Sequence, residues 1–151
     1  MAEKTKSSMS GDLFDLLKQD HQRIMNLFTE IIEKEEQSKD DLFSQIQQGL
    51  DLHMKGEESY LYPVLEGKED ANEMTLEAFE EHHVSKTVLD ELSSMSSSDE
   101  HWMPKVKVLK ELISHHVEEE ENELFPLAQD ILPEEQVMKI GKSIKGVMKS
   151  S

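Results

Sequence analysis

Two stretches of the chain carry the same polar signature. Residues 53–63 read HMKGEESYLYP and residues 116–126 read HVEEEENELFP. Both fit H-x-x-x-E-E-x-x-L-(Tyr/Phe)-P. On a helix, a His and a Glu four residues apart lie one above the other on the same face, so they offer a nitrogen and an oxygen to one point. Each block is preceded by an acid-His pair: Asp20-His21 comes 32 residues before His53, and Glu81-His82 comes 34 before His116. The chain therefore reads as two similar helical hairpins packed about a pseudo-twofold.

The histidines fall in phase with apolar residues. Leu17, His21, Ile24 and Phe28 share one helical stripe; Ile46, Leu50, His53, Glu57 and Leu61 share a second. Met74, Ala78, His82, Ser85 and Leu89 form a third, and Leu109, Leu112, His116 and Glu120 a fourth. Steps of three and four place all of these on core-facing seams. Four imidazoles and two carboxylates thus point toward the middle of one bundle. Burying a carboxylate without compensation costs several kcal/mol, and two that face each other repel. No Lys or Arg lies on those stripes, so a cation is the cheapest compensation. Imidazole with carboxylate suits Fe, Mn or Zn, whereas Mg and Ca prefer oxygen alone. Six donors, two of them able to bridge, suggest two ions rather than one.

Other polar residues have plainer readings. His83 and His115 sit beside seam positions, on helix flanks. His115-x-x-x-Glu119 has the right spacing but points off the stripe. Glu58 and Glu121 are either partners that orient an imidazole or solvated carboxylates. Glu118, Glu119 and Glu123 read as a solvated face, the methionines as adaptable packing, and Trp102 as a cap on the bundle end.

The elements that must position these groups are helices. From residue 12 to about 36, apolar residues recur at helical spacing, after a tail over residues 1–10 that reads as mobile. Ser38-Lys39-Asp40-Asp41 resembles a capping box, and a second helix runs through Leu61, with Pro63 and Gly67 marking its end. A polar loop, GKEDAN, leads to a third helix. The Ser-rich connector SSMSSSDE precedes a fourth, which starts near Pro104. Pro133 opens a fifth, short stretch with a local charge of +2, expected to pack on the bundle. No segment alternates as a strand does. The expected fold is all-α: an up-down-up-down four-helix bundle over 11–132, with a short C-terminal helix over 133–151.

Composition narrows the function classes. The 151 residues carry a net charge of −17 and no cysteine. A disulfide scaffold, a zinc finger and a thiol nucleophile are excluded, and nucleic acid and anionic membranes would repel the chain. The longest apolar run, YLYPVL, is too short to span a bilayer, and MAEKTKSSMSG lacks the apolar segment of a secretory signal. A soluble, cytoplasmic protein is the expectation.

Taken together, H…HxxxE…H…HxxxE, the DH and EH pairs and the two E-E-x-x-L-(Tyr/Phe)-P endings resemble the hemerythrin HHE cation-binding family over residues 12–150. The resemblance implies two non-haem Fe ions with an oxo or hydroxo bridge, with Mn or Zn as weaker alternatives. It implies ligand roles for His21, His53, Glu57, His82, His116 and Glu120, with Glu57 and Glu120 bridging. The oxygen-carrying members have two His on the third helix, spaced H-x-x-x-H, but here Lys86 follows His82 by four and Thr87 follows His83 by four. Four His, two bridging carboxylates and a bridging oxygen fill ten of twelve positions on two octahedral ions, leaving two open where the carrier pattern leaves one. The resemblance thus implies binding of, or reaction with, O2, peroxide or nitric oxide; whether the chain is an enzyme stays open. The alternatives are an iron-binding, iron-sensing module without catalysis and a metal-free helical interaction protein. A ferritin-like site needs two Glu-x-x-His motifs, and only Glu80-x-x-His83 fits; HExxH is absent.

Overall fold

A computed structural model describes residues 2–33 and 39–149, with side chains from Leu13 onward. Among the described residues there are helices and turns and no strand. The elements are α1 (Ala2–Glu33), α2 (Lys39–Gly56), a π-helical turn π1 (Glu57–Leu61), α3 (Tyr62–Glu66), α4 (Asn72–Ser93), α5 (Trp102–Glu119), a second π-helical turn π2 (Glu120–Leu124), α6 (Phe125–Ile131) and α7 (Glu134–Lys149). α2, π1 and α3 run on as one rod, and α5, π2 and α6 as another. With α1, α4 and α7 they make five helical rods packed as a bundle. No described helix is long and apolar enough to cross a membrane.

Pro63 and Pro126 explain the π-helical turns. A proline inside a helix cannot donate to the carbonyl four residues back, and its ring clashes with that carbonyl. The chain widens instead. Tyr62 N–H donates to the Glu57 carbonyl and Phe125 N–H to the Glu120 carbonyl, five residues back in each case. Each proline then occupies the first turn of the helix that follows. Of the two residues expected to mark the end of the second helix, Pro63 is passed and Gly67 is where the rod stops, after Glu66.

Three further points bear on the expected boundaries and core. α1 includes residues 2–10, assigned above to a mobile tail; no proline interrupts that stretch. The fourth rod begins at Trp102, so Pro104 lies within its first turn. Leu112 is half-buried and Ile113 takes the core position beside it. The capping box includes Ser38, and the first helix was expected to reach about residue 36; both points lie outside the described residues.

The core has two apolar halves. Leu13, Phe14, Leu17, Leu61, Leu65, Ala78, Leu124, Phe125 and the inner face of α7 form one. Ile24, Phe28, Ile46, Leu50, Leu89, Trp102, Leu109 and Ile113 belong to the other. Trp102 is buried there, its ring 5.8 Å from that of Phe43. In each of the four long rods, the inward polar residues fall between a residue of one half and a residue of the other. The bundle is thus a polar belt held between two apolar plugs. α7 packs against α1 and α2 at one plug, with Ile144 fully buried against Gly56.

Candidate metal centre

The belt brings together all six residues singled out by spacing. His21, His53, Glu57, His82, His116 and Glu120 are each 5% exposed or less. One rod supplies each imidazole, and the two carboxylates open the two π-helical turns.

Their inward atoms form two groups. His21, His53, Glu57 and Glu120 bring ligand atoms within 4.8 Å of one another, as do Glu57, His82 and His116. Each carboxylate reaches both sides. Glu57 places Oε2 3.4 Å from His53 Nε2 and Oε1 3.2 Å from His82 Nε2. Glu120 places Oε1 3.1 Å from His21 Nε2 and Oε2 3.5 Å from His116 Nε2. His82 and His116 approach each other with Nε2 atoms 3.1 Å apart. Two donors at right angles on one ion, each about 2.1 Å from it, lie ~3 Å apart. The spacings are those of donors that share an ion.

The outer ring nitrogens are all held. His21 Nδ1 is 2.7 Å from Glu121, His53 Nδ1 2.8 Å from Asp20, His82 Nδ1 2.6 Å from Glu58 and His116 Nδ1 2.6 Å from Glu81. A carboxylate at Nδ1 keeps the proton there and turns the Nε2 lone pair inward. The acid-His pairs of the sequence are thus crossed: Asp20 serves His53 on the next rod, while Glu81 serves His116. Of the two roles open for Glu58 and Glu121, the structure shows the orienting one. Lys86, where the carrier pattern has a fifth His, donates to Glu58 Oε1 at 2.9 Å and so braces His82 from behind. His83 and His115 are exposed, as expected for helix flanks.

The centre is rich in acceptors and short of donors. His21 Nε2, His53 Nε2, Glu57 Oε2 and Glu120 Oε1 are buried without a hydrogen-bond partner. These four atoms are the facing set of the first group. Buried acceptors left unmatched are costly, and a cation satisfies all four at once. Charge agrees. Asp20, Glu57, Glu58, Glu81, Glu120 and Glu121 bring six negative charges, Arg23 on Asp20 and Lys86 on Glu58 offset two, and two divalent ions cancel the remaining four.

The titration behaviour follows from this crowding. Burial works to lower the pKa of His53, yet Glu57 and Asp20 outweigh it and bring it to about 10. His116, also disfavoured as a cation by burial, is pushed well above its ordinary value by Glu120 and Glu81. Burial works to raise Glu120, but His116 and His21 hold it well below the usual carboxylate range.

One residue of the site went unseen in the sequence. Tyr62 is fully buried, and its hydroxyl donates to Glu57 Oε1 at 3.1 Å and also bonds Glu120 Oε2. It lies 3.3 Å from His82 Nε2 and 3.4 Å from His116 Nε2. Burial, then Glu120 and Glu57, push its pKa well up, so the phenol keeps its proton and donates. The matching residue of the second repeat is Phe125, whose ring stacks parallel to His21 at 6.0 Å. The pseudo-twofold is broken at this pair: the His82/His116 side has a phenol and the His21/His53 side a bare ring.

Comparison with known proteins agrees with this geometry. Residues 12–128 match the hemerythrin HHE cation binding domain. Among curated proteins, the chain is 29% identical over 126 residues to a DNA nickase of Nostoc sp., covering 81% of this chain and 35% of that protein. It is 29% identical over 99 residues to an uncharacterized hemerythrin-like protein of Schizosaccharomyces pombe, covering 64% of this chain and 49% of that one. The chain thus spans between a third and a half of the length of these relatives. No solved structure matches. With its two carboxylate-linked donor groups between the halves of a helical bundle, the chain belongs to the hemerythrin HHE cation-binding family.

Proposed function

We propose that this chain is a hemerythrin-like non-haem di-iron protein that binds or reacts with a small ligand: O2, peroxide or nitric oxide. His21 and His53 hold one ion, His82 and His116 the other, and Glu57 and Glu120 bridge them. Bound iron supplies exchangeable electrons, one from each ion. The observation that carries the reading is the reach of each carboxylate to both donor groups, at 3.1 to 3.5 Å on either side.

The chain's own residues set the conditions. Four Nδ1 carboxylates fix the imidazole planes and raise their basicity. Tyr62 aims an O–H, or its oxygen, at the His82/His116 side. Beside the imidazoles lies a cavity of about 10 Å³ walled by Ile24, Leu50, Met54, Ile113 and Val117. That is room for roughly one water-sized molecule. Its apolar wall favours a diatomic. DNA cleavage, named for the Nostoc relative, is not carried over: a chain of net charge −17 repels phosphate backbones.

Elemental analysis together with an optical spectrum tests the reading. Protein purified without added metal should carry two irons per chain and, once oxidised, a charge-transfer band. His53→Ala and Glu120→Ala should each abolish stoichiometric metal. Unchanged loading in either variant, or a folded wild-type chain that takes up no metal, would overturn the assignment. A second reading, an iron-reporting module without catalysis, is supported by the origin of the donors: all four long rods contribute, so occupancy is coupled to the fold. Chelation that melts the bundle, with no small-ligand chemistry in the loaded protein, selects that reading.

A further inference from the structure

A cleft of about 510 Å³ runs between α4, with the turn before it, and the rod of α5, π2 and α6. Eight of its twelve lining residues are Asp or Glu, and none is Lys or Arg. Its wall includes His116 and Glu120, which belong to the centre, while Glu77 and Glu123 are exposed. The cleft therefore runs from solvent to two residues of the centre.

Two further observations single this cleft out from an ordinary acidic surface. Glu120, which lines it, is 2% exposed and has a carboxylate oxygen without a hydrogen-bond partner. Glu81 and Glu119, which line it, and His115 beside them bring ligand atoms within 4.8 Å of one another, with His115 Nε2 3.5 Å from Glu119 Oε2. Two carboxylates and an imidazole at that spacing suit a divalent transition metal. Unlike the centre, this group is partly exposed, so an ion there keeps water ligands and can leave. Glu81 belongs to both places, since it also holds His116 Nδ1 at 2.6 Å.

We propose that this acidic cleft is the route by which a divalent cation reaches the centre, and that Glu81, His115 and Glu119 form a docking site on the way in. The proposal rests on the metal-binding reading of the centre. Walls of one charge sign focus the field and raise local cation concentration, which accelerates association by about 10- to 1,000-fold. Docking followed by transfer is a two-step process, so its rate saturates with cation concentration.

Stopped-flow uptake of Co(II) by the metal-free full-length chain tests this. In the wild type, the observed rate should level off with Co(II) and fall steeply with added NaCl. His115→Ala combined with Glu119→Gln should abolish the plateau and slow uptake about tenfold at low Co(II), with final stoichiometry unchanged. Glu77→Gln combined with Glu123→Gln, both exposed, should slow uptake and flatten its salt dependence while keeping the plateau. Glu111→Gln combined with Glu135→Gln, outside the cleft, should change the rate less than twofold. Wild-type kinetics in both cleft variants would overturn the route. Loss of final stoichiometry in the first variant would overturn it too, by placing His115 or Glu119 in the centre itself. No uptake by the wild type is a separate result: it removes the centre, and the route with it.

Discussion

Replacing Tyr62 with Phe isolates one hydroxyl. That hydroxyl donates to Glu57 and bonds Glu120, among the buried imidazole and carboxylate atoms of the centre. Removing it leaves buried carboxylate oxygens unmatched. Leaving a buried acceptor unsatisfied costs about 1–3 kcal/mol, and more for a charged group. The ring itself should still fit, because the second repeat already places Phe125 at the matching position. A loss of about 2 kcal/mol in a domain of this size lowers Tm by roughly 4–8 °C.

In the metal-loaded chain the same carboxylate oxygens face cations, so their need for the phenol largely disappears. Tyr62→Phe should therefore lower the Tm of metal-free protein by several degrees and that of loaded protein by much less. Differential scanning calorimetry with and without a chelator reads both. An equal loss in the two states would refute the idea that cation and hydroxyl satisfy the same oxygens. A loss below a degree in the metal-free state would refute the need for the donor. The spectrum adds an independent check. If the phenol oxygen also binds iron, the oxidised wild type shows a phenolate-to-iron band that the variant lacks.

Three further outcomes follow from the geometry. Metal-free protein should be most stable near pH 5–6: Glu120, held below its ordinary 4.5, contributes above that value and loses its contribution in acid. His53, raised from 6.5 to about 10, contributes fully below 6.5 and loses its contribution as pH climbs toward 10. Bound metal replaces those imidazole protons and should flatten the alkaline side, so Tm against pH with and without chelator decides the point; a metal-free Tm that rises between pH 7 and 9 contradicts it. Asp20→Asn removes the charge from the partner of His53 Nδ1 and should weaken metal binding by about 10- to 100-fold, without loss of final stoichiometry at saturating metal; competition with a chromophoric chelator measures this, and unchanged affinity speaks against the orienting role. Ile144→Ala empties a fully buried site between α7 and Gly56 and should cost roughly 2–4 kcal/mol while leaving metal stoichiometry intact. A cost below 1 kcal/mol by chemical denaturation would show that α7 is not part of the bundle's core.

How far the site could be read in advance depended on what each residue's position encodes. The six inward residues were legible because helical phase is a strong constraint: once Leu17, Ile24 and Phe28 face the core, His21 has nowhere else to point. The same arithmetic covers His53 and Glu57 on the second rod and His82 on α4. Partners on neighbouring rods have no such signature. Asp20 sits beside His21 in the chain yet serves His53, and Glu58 serves His82, because orientation between rods is set by packing that one-dimensional spacing does not contain. The turns at Glu57 and Glu120 were hidden for a related reason. A proline reads as a helix end unless the helix can widen, and widening pays off only where the relocated side chains gain partners in the core.

Tyr62 is the clearest case. Written as a repeat, the two endings treat Tyr and Phe as interchangeable, since both are large aromatic rings that fill the same plug. Packing supports that view: Tyr62 and Phe125 lie in one apolar cluster. The single oxygen that separates them is decisive for chemistry, because it lies within 3.4 Å of four Nε2 and carboxylate atoms of the centre. A repeated motif predicts a symmetric site. Here the duplicated scaffold supplies two matched halves, and one hydroxyl makes them unequal, so the His82/His116 donor group should differ from the His21/His53 group in any measurement that resolves the two.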